Sequence, residues 1–349
     1  MRELHVVLPG PIDTATGGYR YDRHVIHELR ALGWHVTVHE LPAEFPFPTA
    51  LAREAATALL AAIPDGSSVL FDGLALGVLA DEVQPHRERL RLIGLVHHPL
   101  SAETGLSTSQ AEGFFDSERR ALENVRALVV TSAATAELVR ASGLSSLQAT
   151  VIVPGTTPAP LRAARSGTPT RLLCVATLTP RKCHALLLDA LAEVRDLPWT
   201  LDCVGNVELH VPTVEALLAQ RRKLGLDDRV RLLGERSSDE LRELHLDSDV
   251  FVLPSAFEGY GMAVAEALAQ GVPVIATRTG AAAELVDRTC GRLIAPGDPV
   301  GLVTALREVL RDVPLREQLA SGARTRASTL PRWADSAARL ASVVEGVAR

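Results

Sequence analysis

Two glutamates lie within the apolar stretch EGYGMAVAEALAQG, Glu258 and Glu266, with seven residues between them. A buried carboxylate is costly unless a partner balances its charge. The preceding run DVFVLP (249–254) predicts a buried strand that delivers Glu258 at its carboxyl end. The glycines at 259 and 261 then predict a turn into a helix over roughly 262–270, and Glu266 lies about one turn into that helix.

This arrangement suits a phosphate with hydroxyl groups on either side. A helix N-terminus presents backbone N–H groups and the positive end of the helix dipole, and glycines let a ligand approach the backbone closely. Carboxylates accept hydrogen bonds from hydroxyls, so the pair predicts a sugar and a ribose beside the phosphate. A single glutamate here would be interpreted as a solvent-facing helix residue, or as an acid favoured near a helix N-terminus. The pair, in register with a strand and two glycines, favours a ligand site.

Two cations, Arg181 and Lys182, follow the predicted strand RLLCVAT (171–177) and precede a helix. Cations are unfavourable beside the positive end of a helix dipole, so an anionic partner is favoured over a solvated basic pair. Arginine offers a bidentate fork and lysine a point charge, so adjacent residues of these types suit an anion. The pair therefore predicts an anion-binding site.

The first half of the chain has two comparable places. Gly17 and Gly18 follow the first predicted strand and precede a helix, although a plain glycine turn would look the same. His97 and His98 end the strand LRLIGLVHH, directly before Pro99. A lone histidine is usually structural, whereas two at the carboxyl end of a strand favour ligand binding.

Short apolar runs alternate with amphipathic segments along the chain, which is typical of parallel sheets covered by helices. The predicted strands are 4–9, 34–40, 68–73, 90–98, 127–132, 150–154, 171–177, 199–205, 229–234, 249–254 and 272–277. The expected fold class is α/β, with two Rossmann-like doubly wound domains facing across a cleft. The predicted domains are 1–158 and 171–330, joined by a linker at 159–170. A C-terminal helix at 331–349 has the N-terminal domain as its candidate packing partner.

Composition excludes several classes of function. The formal net charge of -6 argues against a nucleic-acid-binding face. No uninterrupted apolar run reaches the roughly 18 residues of a transmembrane helix. The helix at 18–32 mixes Arg20, Arg23 and Arg30 with Asp22 and Glu28, so membrane association is possible but not favoured.

Known cofactor and catalytic motifs are missing. The four cysteines form no CxxC or Cys/His metal spacing, which favours a reduced, cytoplasmic protein. The sequence contains no P-loop, HExxH or GxSxG. Gly259-Tyr260-Gly261 lacks the third glycine of a dinucleotide fingerprint, which disfavours an NAD-dependent enzyme.

The stretch PSAFEGYGMAVAEALAQGVPVIATRTGAAAELV resembles the signature of the retaining glycosyltransferases with the GT-B fold, and the similarity extends over nearly the whole chain. The resemblance implies a nucleotide-diphosphate-sugar donor (a UDP- or GDP-sugar), no obligatory metal and no other cofactor. It implies that Glu258 contacts hydroxyls of the donor sugar and that Glu266 holds the ribose. The family usually has a Gly-Arg pair and then Lys-Gly, whereas this sequence has Ala176-Thr177 and then Lys182-Cys183.

The resemblance also implies roles in the first domain. His97, with His98 as the alternative, would hydrogen-bond a donor-sugar hydroxyl, and the Gly17-Gly18 turn would lie near the donor phosphate and the acceptor. The remaining expected donor-binding residues are Gly234, Arg236, Gly259, Tyr260, Gly261, Met262 and Ala263. The expected acceptor-binding residues are His98, Glu103 and Thr104.

The predicted function is transfer of a sugar from the nucleotide donor to a small soluble acceptor with retention of anomeric configuration. The predicted catalytic residues are Glu258, Arg181, Lys182 and His97, without a metal. The predicted partners are the nucleotide sugar and a small-molecule acceptor, and the chain is expected to be a monomer or homodimer. Two alternatives stay open: a nucleotide-sugar epimerase on a similar fold, and a non-catalytic sugar-nucleotide-binding protein.

Overall fold

The computed structural model describes residues 2–14, 16–163 and 168–348. The chain forms two compact units: unit 1 is Met1–Gly155 with Pro331–Arg349, and unit 2 is Thr156–Leu330. Of the linker predicted at 159–170, residues 164–167 lie outside the described part of the chain.

Unit 1 is built on a six-stranded parallel sheet in the order β2-β1-β3-β4-β5-β6. Its strands are β1 Glu3–Leu8, β2 His35–Glu40, β3 Ser68–Asp72, β4 Arg91–Val96, β5 Ala127–Val130 and β6 Thr150–Val151. The central strand β3 is buried at every position, as expected of a strand covered on both faces. The chain moves outward from β1 to β2 and then returns to place β3 on the other side of β1. The carboxyl ends of β1 and β3 therefore flank the point where ligands bind in doubly wound sheets.

Helices cover this sheet, and the last helix of the chain belongs to it. The helices of unit 1 are α1 Gly17–Ala31, α2 Ala50–Ala62, α3 Gly73–Leu76, α4 Ala80–Val83, α5 Thr108–Leu122, α6 Ala133–Ser142 and, at the C-terminus, α14 Trp333–Ala348. The α14 helix packs on α1, where the Trp333 and His24 rings stack with centroids 4.4 Å apart. The Ser336 hydroxyl also donates to the Val153 carbonyl at 2.7 Å.

The sequence pattern of α1 is confirmed at three of its four apolar positions. Val25, Ile26 and Leu29 are buried, whereas Leu32 is 45% exposed. The difference arises because α1 ends at Ala31, so Leu32 caps the helix and does not extend its apolar face.

Unit 2 is also built on a six-stranded parallel sheet, but its strand order is β12-β11-β10-β7-β8-β9. Its strands are β7 Thr170–Val175, β8 Trp199–Val204, β9 Val230–Leu232, β10 Val250–Leu253, β11 Val274–Thr277 and β12 Gly291–Ile294. Strand order reverses between β7 and β10, so their carboxyl ends flank the second switch point. The edge strand β12 is an addition to the predicted set.

The helices of unit 2 are α7 His184–Ala192, α8 Val211–Lys223, α9 Ser238–Asp247, α10 Met262–Ala269, α11 Ala282–Leu285, α12 Pro299–Arg311 and α13 Val313–Ala327. A buried ion pair anchors the start of the unit: Arg162 Nη2 lies 2.9 Å from Asp249 Oδ1. Asp249 also accepts from the Arg171 backbone N–H. Among the described residues, no helix combines the length and apolar character needed to cross a bilayer.

Candidate active site

The loop after β10 places Glu258 at the switch point of the unit 2 sheet. Ser255 and Glu258 are both buried, and the loop is braced by the turn after β11. A Cβ on Gly280, whose φ is +51°, would lie 1.6 Å from the Glu258 carbonyl oxygen. Only glycine permits this contact, so the two loops are held in one arrangement.

Glu258 forms an ion pair with Lys182. The Lys182 Nζ and Glu258 Oε1 atoms are 2.6 Å apart, and the side chains are only 14% and 12% exposed. Burial by itself raises the pKa of Glu258, but the Lys182 charge and hydrogen bond outweigh it and hold that pKa below its usual range. Glu258 is therefore a carboxylate, which accepts hydrogen bonds and donates none.

Arg181 interlocks the two loops at this switch point. Its Nη1 donates to the Phe257 carbonyl at 2.9 Å. In return, the Ala256 backbone N–H donates to the Arg181 carbonyl at 2.8 Å. The turn after β7 and the loop after β10 thus carry two cations and one carboxylate on a shared frame.

The helix that follows presents a partly open face. Gly261 is the N-cap residue of α10, has φ +87° and offers no side chain to cap the helix. Most of α10 is buried, whereas Met262, Ala263 and Glu266 are half-buried. These three positions share one face because residues three and four apart are neighbours on a helix. The Tyr260 side chain is buried, so it is the backbone of Tyr260 that can meet a ligand.

The departure at Cys183 from the family pattern has a backbone explanation. Cys183 adopts a left-handed conformation with φ 54° and ψ 36°, between the turn Pro180–Lys182 and α7. This is the conformation that glycine adopts without steric cost. The other three cysteines, Cys174, Cys203 and Cys290, are buried.

Two of the expected donor-binding residues, Gly234 and Arg236, follow β9. Gly234 has φ +71°, and its carbonyl accepts from the Gly205 N–H at 3.1 Å, which ties the ends of β8 and β9 together. Arg236 is half-buried and donates through Nη1 to the Glu235 carbonyl at 2.8 Å. The backbone here lies at the carboxyl edge of the sheet, as the prediction requires.

In unit 1, His97 lies between two buried acids that the sequence reasoning missed. His97 Nε2 is 3.3 Å from Asp72 Oδ2 and 3.6 Å from Asp22 Oδ1. Asp72 ends β3 and Asp22 belongs to α1, so the three come from neighbouring elements at the switch point. Asp22 is only 2% exposed, although it lies in an amphipathic helix among arginines.

The other predicted residues of unit 1 lie nearby or on the surface. Gly17 opens α1, and a Cβ on Gly18 would be 3.2 Å from His97 Cδ2, so glycine makes room for the ring. Glu103 and Thr104 are exposed on the loop beyond the turn Leu100–Ala102, where the Thr104 N–H donates to Glu103 Oε1 at 2.9 Å.

Glu118 is a third buried acid of unit 1 that sequence reasoning missed. It lies on α5, is 1% exposed, and accepts from the Leu100 N–H at 3.1 Å. Burial raises its pKa to about 8, because the backbone hydrogen bonds from Leu100 and Ser101 only partly offset desolvation. Glu118 thus braces the turn that follows His97 and His98.

Among the described residues, the acidic and histidine atoms that lie close enough together to hold a metal ion are those of Asp22, Asp72 and His97, within 4.8 Å of one another. A cavity of about 640 Å³ occurs elsewhere, beside Arg278 and Arg292 of unit 2, and none of the predicted site residues lines it. Each unit has its candidate site residues at its own switch point.

Residues 162–326 match the sequence family described as glycosyl transferases group 1. This segment belongs to that glycosyltransferase family. It is 28% identical over 319 residues to an MMP alpha-(1->4)-mannosyltransferase of Mycolicibacterium hassiacum, covering 87% of this chain and 76% of that protein. It is 32% identical over 277 residues to a D-inositol 3-phosphate glycosyltransferase of Corynebacterium diphtheriae, covering 72% of this chain and 65% of the relative.

Solved structures show the same fold. Sucrose-phosphate synthase of Thermosynechococcus elongatus superposes with a TM-score of 0.84 at 21% identity, covering 99% of each chain. HepE of Anabaena, in complex with UDP and glucose, gives 0.81 at 19% identity, covering 99% of this chain and 100% of HepE. The predicted family and the predicted α/β fold of the GT-B type are confirmed. The roles of individual residues in this glycosyltransferase stay predictions.

Proposed function

We propose that this glycosyltransferase moves a sugar from a nucleotide-diphosphate-sugar to an acceptor with retention of anomeric configuration, without a metal. The observation that carries the proposal is the buried Lys182–Glu258 ion pair at the unit 2 switch point. A salt bridge this buried is weak evidence for stability, because the desolvation of the two charged groups offsets much of their mutual attraction. Its place beside a helix N-terminus and a second cation, Arg181, indicates a ligand site.

The proposed chemistry separates the roles of these groups. The bond between the anomeric carbon and the donor phosphate breaks, and the electron pair leaves with the diphosphate. Lys182, Arg181 and the first N–H groups of α10 stabilise the charge that develops there. Glu258 accepts hydrogen bonds from donor-sugar hydroxyls, and Glu266 accepts from the ribose.

The acceptor hydroxyl attacks from the face that the diphosphate leaves. Its proton passes to an oxygen of the departing phosphate, so the new glycosidic bond forms without a protein nucleophile. In this scheme His97 of unit 1 donates a hydrogen bond to a hydroxyl of the donor sugar.

The acceptor is proposed to be small and soluble. One relative is named for D-inositol 3-phosphate, whereas a Mycobacterium tuberculosis relative is named for phosphatidylinositol monomannoside. The net charge of -6 gives this chain no general attraction to anionic lipid. A polar phosphorylated alcohol is therefore the preferred first acceptor to test.

The proposal is tested in two steps. A thermal-shift screen of UDP, GDP, ADP and dTDP identifies the base, because a ligand that binds only the folded state raises its melting temperature. The matching nucleotide sugars are then incubated with acceptors that include D-inositol 3-phosphate, and the products are analysed by mass spectrometry and NMR.

A glycoside with the anomeric configuration of the donor supports the proposal. An inverted product would contradict retention, and loss of transfer on metal chelation would contradict metal independence. Isomerised donor sugar without any acceptor would instead identify an epimerase. Binding of a diphosphate without turnover on any acceptor would identify a non-catalytic sugar-nucleotide-binding protein.

A further inference from the structure

Two buried acids of unit 1 face one nitrogen of His97. Asp22 and Asp72 have side chains that are 1% and 6% exposed, and both approach Nε2. Neither contact has the 2.7–2.9 Å length typical of a charge-assisted hydrogen bond. The attraction at 3.3 and 3.6 Å is therefore chiefly that of an ion pair in a poorly hydrated place.

The described hydrogen-bond donors around this cluster do not satisfy all of its carboxylate oxygens. Both carboxylate oxygens of Asp22 are buried and have no hydrogen-bond partner within the described part of the chain. Burial of an ionised carboxylate is costly unless a counter-charge compensates it. The nearest available counter-charge is a protonated His97.

The electrostatics of the three groups agree with this geometry. Burial alone lowers the pKa of His97, but the adjacent carboxylates of Asp22 and Asp72 outweigh burial and raise it to about 10. Burial raises the pKa of Asp22 to about 6, and Asp72 adds to that effect while His97 opposes it.

Other described neighbours of the ring are uncharged aromatic and hydroxyl groups. Tyr21 meets it edge-on, with ring centroids 5.2 Å apart, and its hydroxyl donates to the Ile152 carbonyl. Burial raises the pKa of Tyr19 to about 12, so that nearby phenol is neutral. On the β5 side, Thr131 donates from Oγ1 to the His97 carbonyl at 3.4 Å.

We propose that Asp22 and Asp72 are positioning residues that hold His97 as an imidazolium with Nε2 turned inward. Nε2 is buried, yet the side chain keeps 22% of its surface exposed. The opposite ring nitrogen, Nδ1, then carries a proton near neutral pH and donates to a hydroxyl of the donor sugar. A neutral histidine would do so in only one of its two tautomers. This inference rests on the proposed function for its ligand but not for its charge state.

The charge state is tested first, in the ligand-free full chain. NMR of the protein with isotope-labelled histidine follows protonation of both ring nitrogens from about pH 6 to about pH 9, a window above the ordinary histidine pKa. The His97→Gln variant assigns the signal. Asp22→Asn and Asp72→Asn are compared with Asp81→Asn, a surface acid of the same unit that pairs with Arg120.

We expect wild-type His97 to stay doubly protonated up to about pH 8.5, and each cluster variant to lower its titration midpoint by about one pH unit or more. Asp81→Asn should leave the midpoint unchanged. A wild-type ring that is neutral at about pH 7.5, or a midpoint that neither cluster variant moves, would overturn the inference. Co-purification of one equivalent of a divalent metal, lost in both cluster variants, would also overturn it.

A kinetic readout separates positioning from simple structural damage. If the donor assay succeeds, Asp72→Asn should raise the donor KM by about tenfold at about pH 8.5 and much less at about pH 6, with a smaller change in kcat. His97→Gln should raise the donor KM equally at both pH values. Equal effects of Asp72→Asn at both pH values would contradict the inference. Failure of every nucleotide sugar would reject the proposed function while the NMR result still decides the charge state.

Discussion

Both units place a charged cluster at the carboxyl ends of a six-stranded parallel sheet, near its switch point, yet the clusters are electrostatic opposites. In unit 2, one lysine and one glutamate pair at 2.6 Å, and Arg181 adds a second cation. In unit 1, two aspartates surround one histidine at 3.3 and 3.6 Å. The switch point fixes where a site lies, whereas the side chains decide what it attracts. The cationic cluster of unit 2 suits a phosphate, whereas the acid-rich cluster of unit 1 stabilises the protonated form of His97.

The difference predicts opposite responses to pH. The pKa of Glu258 is lowered, so its contribution to stability is present above the ordinary value of 4.5 and is lost as pH falls through the lowered pKa. The pKa values of Asp22 and Glu118 are raised to about 6 and about 8, so their contributions are lost as pH rises through those values. Unit 2 is therefore sensitive to acid at its site, and unit 1 to alkali.

The largest expected effect breaks the unit 2 cluster. Lys182→Met should reduce turnover by about 100- to 1,000-fold, because the leaving diphosphate loses a preorganised cation. The chain has only one other lysine, the exposed Lys223, so Lys223→Met is a matched control that should keep full activity. Steady-state kinetics on both variants checks this, and turnover of Lys182→Met within about twofold of wild type would rule the role out.

The second prediction removes a buried acid from unit 1. Glu118→Gln keeps an acceptor for the Leu100 N–H but cannot ionise. Wild-type unit 1 should lose about 3 kcal/mol of stability between about pH 5 and about pH 8.5 through this group, and the variant should not. Urea unfolding at both pH values measures the difference. Glu123→Gln, an exposed change just beyond α5, should keep the wild-type dependence. Identical pH dependence in the wild type and Glu118→Gln would show that Glu118 is not the responsive group.

A third prediction tests how rigidly the Glu258 loop is held. Gly280→Ala should destabilise unit 2 by about 2 kcal/mol more than Gly297→Ala. Both glycines have positive φ, but a Cβ on Gly280 would meet the Glu258 carbonyl, whereas one on Gly297 meets nothing within 4 Å. Equal decreases in melting temperature in the two variants would show that the Glu258 loop can shift to accommodate the added Cβ at little energetic cost.

The smallest effect concerns the turn beside Lys182. Cys183→Gly should raise the free energy of unfolding by about 1 kcal/mol or less, because glycine adopts the left-handed conformation without the Cβ penalty. Activity should be unchanged. Destabilisation by Cys183→Gly would show that the cysteine side chain contributes packing worth more than the backbone strain.

Local pattern predicted most of unit 2 and its cluster. The alternation of apolar runs and amphipathic segments gave the strands, and the carboxyl-end rule then placed Lys182 and Glu258 together. The edge strand β12 was missed because Gly291–Ile294 is short and mixes a charged residue with apolar ones. A strand this short has too few residues to show an alternating pattern of apolar and polar side chains.

Local sequence pattern did not predict most of the acid-rich cluster of unit 1. Asp22 lies in an amphipathic helix among arginines, and only its approach to His97, distant in sequence, shows that it is buried. Asp72 did carry a signal, since it ends a strand at the same sheet edge as His97. Applying to Asp72 the rule already applied to His97 would have found it.

The most direct test of the central claim, that unit 2 grips a diphosphate through Lys182, is calorimetric titration without acceptor. The nucleoside diphosphate selected by the thermal screen is compared with its monophosphate on wild type, Lys182→Met and Lys223→Met. We predict that wild type and Lys223→Met bind the diphosphate about tenfold or more tightly than the monophosphate, and that Lys182→Met loses this preference. Equal affinity for both nucleotides in the wild type, or an undiminished preference in Lys182→Met, would contradict the account.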